Sequence, residues 1–187
     1  MVITPRFLES GTFSNGRAWV KSESGGYSFI DSSGTTVIDL PDHLVPDSFS
    51  EGMAAVRDSY SLKSGFIDMN GQMIIAFGLS NPDCFSEGLT TVLADNGKMR
   101  YIDPRGDYAP IGEYDEALPF IHGIALVTVG DKSGCIDKSG NLVVPMQKYD
   151  YVDVQSYYLD SSTLLVGKDG KFRYIDRNSG KTIFEIQ

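Results

Sequence analysis

The chain has 187 residues, 41% of them hydrophobic and 22% charged, enough for one sizeable domain with an apolar core and no disordered tail. Its 25 Asp and Glu against 16 Lys and Arg give a formal charge of −9, a field that repels phosphate backbones, argues against nucleic-acid binding and favours encounter with a basic partner. Cys84 and Cys135 are too few and too far apart for a disulfide framework or a zinc site. The start lacks a signal-peptide h-region and no run reaches the ~18 apolar residues that span a bilayer, so the expected location is the cytoplasm.

Taken in chain order, one line recurs: Phe13-Ser14-Asn15-Gly16, Phe49-Ser50-Glu51-Gly52, Phe85-Ser86-Glu87-Gly88 and Phe120-Ile121-His122-Gly123, with phenylalanines 36, 36 and 35 residues apart. A short apolar run follows each, as in Met53-Ala54-Ala55-Val56. A second line reads Phe29-Ile30-Asp31, Phe66-Ile67-Asp68, Tyr101-Ile102-Asp103, Cys135-Ile136-Asp137 and Tyr174-Ile175-Asp176. Glycine follows three residues after the Asp at Gly34, Gly71, Gly106 and Gly140, and four after it at Gly180. In the fifth unit Tyr157-Tyr158-Leu159 stands about where Phe-Ser-Glu-Gly would be.

Asp at i with Gly at i+3 predicts a type I turn closing a hairpin, the carboxylate accepting the turn's N–H groups and Gly supplying positive φ. No window shows helical period with caps. The expected fold is all-β: five tandem repeats of roughly 36 residues and three to four strands, β-propeller-like or, alternatively, an open β-solenoid stack. A single repeat domain, 1–187, divides at about 13–48, 49–84, 85–119, 120–156 and 157–187. Thr4-Pro5 precedes Phe13 as Leu40-Pro41 precedes Phe49, so residues 1–12 read as the tail of a preceding unit or a closing strand. Ile30, Ile67, Ile102, Ile136 and Ile175 are expected to be buried at equivalent positions.

These lines resemble the bacterial WG-repeat (KWG-repeat) family, with Phe49-Ser50-Glu51-Gly52, Phe85-Ser86-Glu87-Gly88, Gly65-Phe66-Ile67-Asp68 and Val143-Val144-Pro145 nearest its pattern. The name-giving Trp position holds Tyr27, Ser64, Met99, Ser133 and Phe172, so the chain is a divergent member; its neighbouring Gly survives only at Gly65 and Gly134. The resemblance implies a β-repeat array used for interactions, without shared catalytic residues.

No catalytic motif is present, and the chain is read as a non-enzyme with no cofactor and no metal site. His43 and His122 pair with no nucleophile in sequence. The repeat aspartates lack the alternating Asp/Asn pattern of a calcium loop and are read as turn caps. A glycosidase-like carboxylate pair is the weakest reading. Three segments break the repeat: Asp58–Lys63 with Tyr60, Gly78–Asp83, and Tyr149–Ser162. Tyr60, Tyr149, Tyr151, Asp153, Tyr157, Tyr158 and Asp160 are the candidate partner-binding residues, large rings with polar tips among acids. The competing reading packs Tyr149, Tyr151 and Tyr157 into the core of a degenerate unit. The leading function is a binding scaffold for a protein, a basic one in its immunity- or antitoxin-like version; the alternative is a carbohydrate- or cell-wall-glycan-binding repeat protein.

Overall fold

The computed structural model describes residues 6–147, 149–153, 157–158 and 162–186. Among these, the chain forms five antiparallel sheets, each a meander in chain order. The first holds β1 (Glu9–Ser10), β2 (Ala18–Lys21), β3 (Tyr27–Ile30) and β4 (Thr36–Asp39); the second β5 (Leu44–Pro46), β6 (Met53–Asp58), β7 (Ser64–Asp68) and β8 (Met73–Leu79). The third is the pair β9 (Thr90–Leu93) and β10 (Met99–Ile102). The fourth holds β11 (Glu116–Ala117), β12 (Ile124–Val129), β13 (Lys132–Asp137) and β14 (Leu142–Gln147), and the fifth β15 (Tyr151–Val152), β16 (Thr163–Lys168), β17 (Lys171–Asp176) and β18 (Thr182–Ile186). Tyr157 and Tyr158 are helical. No helix among the described residues is long and apolar enough to cross a membrane.

The sheets are offset from the sequence repeats. Each four-stranded sheet takes its first strand from residues just ahead of the aromatic line, so β5 precedes Phe49 yet pairs with β6. Residues Glu9 and Ser10 do the same for β2. In the third sheet both outer strands shrink to single bridges, Ser80 with Leu93 and Met99 with Tyr114.

Two turn types explain the recurring lines. In the Phe-x-x-Gly line both central residues have positive φ: Asn15 51° and Gly16 73°, Glu51 52° and Gly52 79°, Glu87 53° and Gly88 83°, His122 54° and Gly123 80°. These are type I′ dihedrals, which match the right-handed twist of flanking strands. In the Asp-x-x-Gly line the glycine N–H donates to the Asp carbonyl, at 2.9 Å for Gly34–Asp31 and 3.0 Å for Gly71–Asp68. A register shift in β3 and β7 follows beside each turn, the mark of a bulge.

The chain divides into two compact units, Met1–Leu93 with Ile102–Asp107, and Ala94–Tyr101 with Tyr108–Gln187. One interlock repeats inside each. The aromatic of one repeat's first line packs on the second-line ring of the repeat before it: Phe49 on Phe29 at 4.7 Å and Phe85 on Phe66 at 4.9 Å in the first unit, Phe120 on Tyr101 at 4.9 Å in the second. Such tilted contacts suit the ring quadrupole, and burying each Phe side chain is worth roughly 1.5–3 kcal/mol. Ile30, Ile67, Ile102, Ile136 and Ile175 lie buried at equivalent positions. The outer strand adds a second contact, since Ile38 lies against Gly71 and Ile75 against Gly106, the turn glycines of the following repeats.

Candidate functional site

The Asp58–Lys63 loop is built around one carboxylate. Asp58 Oδ1 accepts the Tyr60 N–H at 2.8 Å, Oδ2 accepts the Ser61 hydroxyl at 2.9 Å, and the Asp58 carbonyl accepts the Leu62 N–H at 2.9 Å. The Tyr60 N–H and then the Ser61 hydroxyl hold the Asp58 carboxyl below the usual carboxylate range. Leu62 takes a positive φ of 59° to close the loop. The result is a Tyr60 ring stacked on His43 at 5.5 Å yet 84% exposed. Lys63 Nζ donates to Ser80 Oγ at 2.8 Å, so the Tyr60 loop and the Gly78–Asp83 segment meet. Beside them a pocket of about 320 Å³ is lined by Val45, Asp47, Arg57 and Asn81, among others.

The Tyr149–Ser162 segment lies in the other unit and separates into wet and dry residues. Tyr151 is exposed, meets Phe172 edge-on at 5.8 Å and directs its hydroxyl to Asp153 at 3.4 Å. Tyr158 is exposed and Tyr149 is half-buried against the core of the fourth and fifth sheets. Tyr157, a candidate contact residue in the sequence, is instead fully buried. It fills the aromatic slot of the fifth repeat beside Cys135, its hydroxyl reaching the carbonyls of Pro119 and Ile124, the latter at 3.0 Å. The buried Arg177 guanidinium covers its ring at 4.9 Å. Asp160 lies outside the described residues. Sequence reasoning did not single out Phe172, which stands at the name-giving Trp position and is exposed beside Tyr151.

The five repeat aspartates are occupied by their own turns. Asp31 accepts N–H groups of Ser33 and Thr35, Asp68 those of Asn70 and Gln72, Asp103 those of Arg105 and Asp107, and Asp137 those of Ser139 and Asn141. Asp176, in the longer turn, accepts from Asn178 N–H and the Ser179 hydroxyl. Every one of these carboxyls is held below its ordinary range, chiefly by Ser33 at Asp31, Gln72 at Asp68, Arg105 at Asp103, Asn141 at Asp137 and Ser179 at Asp176. Among the described residues no three His, Cys, Asp or Glu side chains are placed to hold a metal ion.

Repeated four-stranded antiparallel sheets joined by a ring-on-ring interlock define a β-propeller-like repeat protein. The fold is similar to BamB from Moraxella catarrhalis, with a TM-score of 0.54, 12% identity, and coverage of 91% of this chain and 58% of that one. It is also similar to the WD40 domain of SCAP from fission yeast, with a TM-score of 0.51, 11% identity, and coverage of 97% and 56%. The chain therefore spans less than two thirds of the length of these structures, and at such identity the likeness is one of fold alone. No curated protein is significantly similar in sequence. The WG containing repeat pattern matches residues 1–24, 65–98, 109–132 and 134–172, and the chain belongs to that family.

Proposed function

We propose that the protein is a non-catalytic scaffold that binds a protein partner through aromatic loops, and that this partner is basic, as the target of an immunity- or antitoxin-like inhibitor would be. The observation that carries the reading is Tyr60: a large ring, 84% exposed, fixed by its loop and by His43 before any partner arrives. A pre-ordered aromatic loses little entropy on binding and is a typical anchor of protein interfaces. The net charge of −9 favours a basic surface opposite it. Repeat folds support this use, because a fixed core leaves loops free to vary.

The test is capture of partners by the tagged protein from its native lysate at low and moderate salt, repeated with Tyr60→Ala. A stoichiometric basic protein, released as salt rises and weakened about tenfold or more by Tyr60→Ala, is the expected result. Retention of no protein, with binding on a glycan array instead, transfers the function to carbohydrate recognition.

A further inference from the structure

One cross-strand row recurs on the four-stranded sheets: Glu9–Lys21–Tyr27, Val45–Arg57–Ser64, Glu116–Thr128–Ser133 and Tyr151–Gly167–Phe172. In the first row the cation is satisfied on both sides, since Lys21 Nζ meets Glu9 Oε1 at 3.1 Å and lies over the Tyr27 ring at 5.4 Å. In the third the serine is satisfied, Ser133 Oγ standing 3.1 Å from Thr128 Oγ1. The second row has neither arrangement. Val45 stands where Glu9 supplies a carboxylate and Ser64 where Tyr27 supplies a ring, and the Arg57 guanidinium has no acceptor among the described residues. Ser64 is only 4% exposed, yet its hydroxyl bonds to no group among the described residues. Both side chains line the same pocket of about 320 Å³.

We propose that this pocket binds a small organic monocarboxylate with an apolar body. The Arg57 guanidinium offers a carboxylate two parallel N–H donors, the fork that a planar anion fits best, and the Ser64 hydroxyl offers a third. A buried hydroxyl without a partner costs free energy, and a ligand oxygen relieves that cost. Val45, Pro46 and Pro82 supply apolar wall for the body of the ligand, and Asn81, at a positive φ of 43°, adds a side-chain amide to the lining. Charge selects a single negative group. Asp47 lines the same pocket and the chain carries a net −9, so a second charge on the ligand is repelled while a monoanion keeps its bond to Arg57. Tyr27, Met99 and Phe172 put large side chains at the position of Ser64, and the small serine leaves that volume open.

The experiment is an NMR titration of the purified, isotope-labelled protein with benzoate as the probe, with no protein partner present, so that its outcome is independent of the proposed protein-binding role. Benzoate is expected to shift the amide signals of Val45, Arg57, Ser64 and Asn81 saturably. Benzamide, its uncharged counterpart, should bind about tenfold more weakly or worse, and Arg57→Gln should weaken benzoate by about tenfold or more. Ser64→Ala should weaken it about threefold or more. The signals of Phe66 and Ile67 check that each variant is folded, and Arg57→Lys, which keeps the charge but loses the fork, replaces Arg57→Gln if that variant is not, with a loss again expected. Benzoate leaving all four signals in place up to its solubility limit overturns the proposal, as does benzamide binding equally well. So does a folded Arg57 variant that binds benzoate like the unaltered protein, or inorganic phosphate shifting the same signals at a lower concentration than benzoate.

Discussion

The Ile111 carbonyl oxygen stands 2.6 Å from the point where a Cβ on Gly140 would sit. Gly140 is thus needed twice over, for its positive φ of 80° and for this close approach. Gly97 has a similar φ of 77° but nothing within 4 Å of its would-be Cβ. Gly97→Ala should cost about 1 kcal/mol, the left-handed penalty alone, while Gly140→Ala should cost about 2–3 kcal/mol or more. Urea unfolding separates the two, and similar midpoints for both variants would show that φ, not contact, governs the turn.

Tyr157 offers a second comparison. Removing its hydroxyl in Tyr157→Phe leaves the buried carbonyls of Pro119 and Ile124 without that donor, which should cost about 1–2 kcal/mol. Tyr157→Ala also opens a cavity between the fourth and fifth sheets and should cost about 3–5 kcal/mol. Denaturation of both variants checks this; an unchanged midpoint for the alanine form would remove Tyr157 from the core.

The turn aspartates set the response to acid. Their folded-state pKa values lie below ordinary values, so the protonated, unfolded chain holds its protons more tightly than the folded one. Their contribution is fully present well above the ordinary Asp value of about 3.9 and is lost as pH falls below it through the lowered folded values. Melting temperature should therefore fall on acidification from pH 5, and Asp68→Asn should flatten that fall. A melting temperature independent of pH between about 5 and 2 would contradict the turn bonding.

The two thiols should be distinguishable. Cys135 is buried beside Tyr157, and burial pushes its pKa up to about 12. Cys84 is exposed as a residue, but shielding of its sulfur, with Asp83 nearby, pushes it up to about 11. With few thiolates at neutral pH, both should react slowly with a thiol reagent; Cys84 should label in the folded protein and Cys135 only on unfolding. Mass spectrometry after timed labelling checks the order.

The Asp-x-x-Gly turns were legible in the sequence because they are written by residues with one physical use: Asp31 with Gly34 states a backbone conformation locally. Glu51 beside Gly52 stood out only as part of a recurring line, since a glutamate does not announce the positive φ it takes here. Tyr157 was visible as standing near the aromatic slot, but its surrounding tyrosines and acids also fitted a contact surface, and only its burial decides between them. The reduced third sheet was hidden. Between Asp107 and Tyr114 the chain carries Pro110, which has no N–H to give, and Gly112 at φ 121°, so the fourth strand becomes a bridge at Tyr114 and a buried Ile111.

The ring interlock also orders events during synthesis. Each second-line residue is covered by an aromatic 19 to 22 residues further along: Phe29 by Phe49, Phe66 by Phe85, Tyr101 by Phe120, and Cys135 by Tyr157. A nascent chain leaving the ribosome therefore exposes one sticky socket at a time, each sealed after a short further stretch of translation. The repeat thus spreads the hazard of unfolded apolar surface thinly along the message, instead of gathering it at the end.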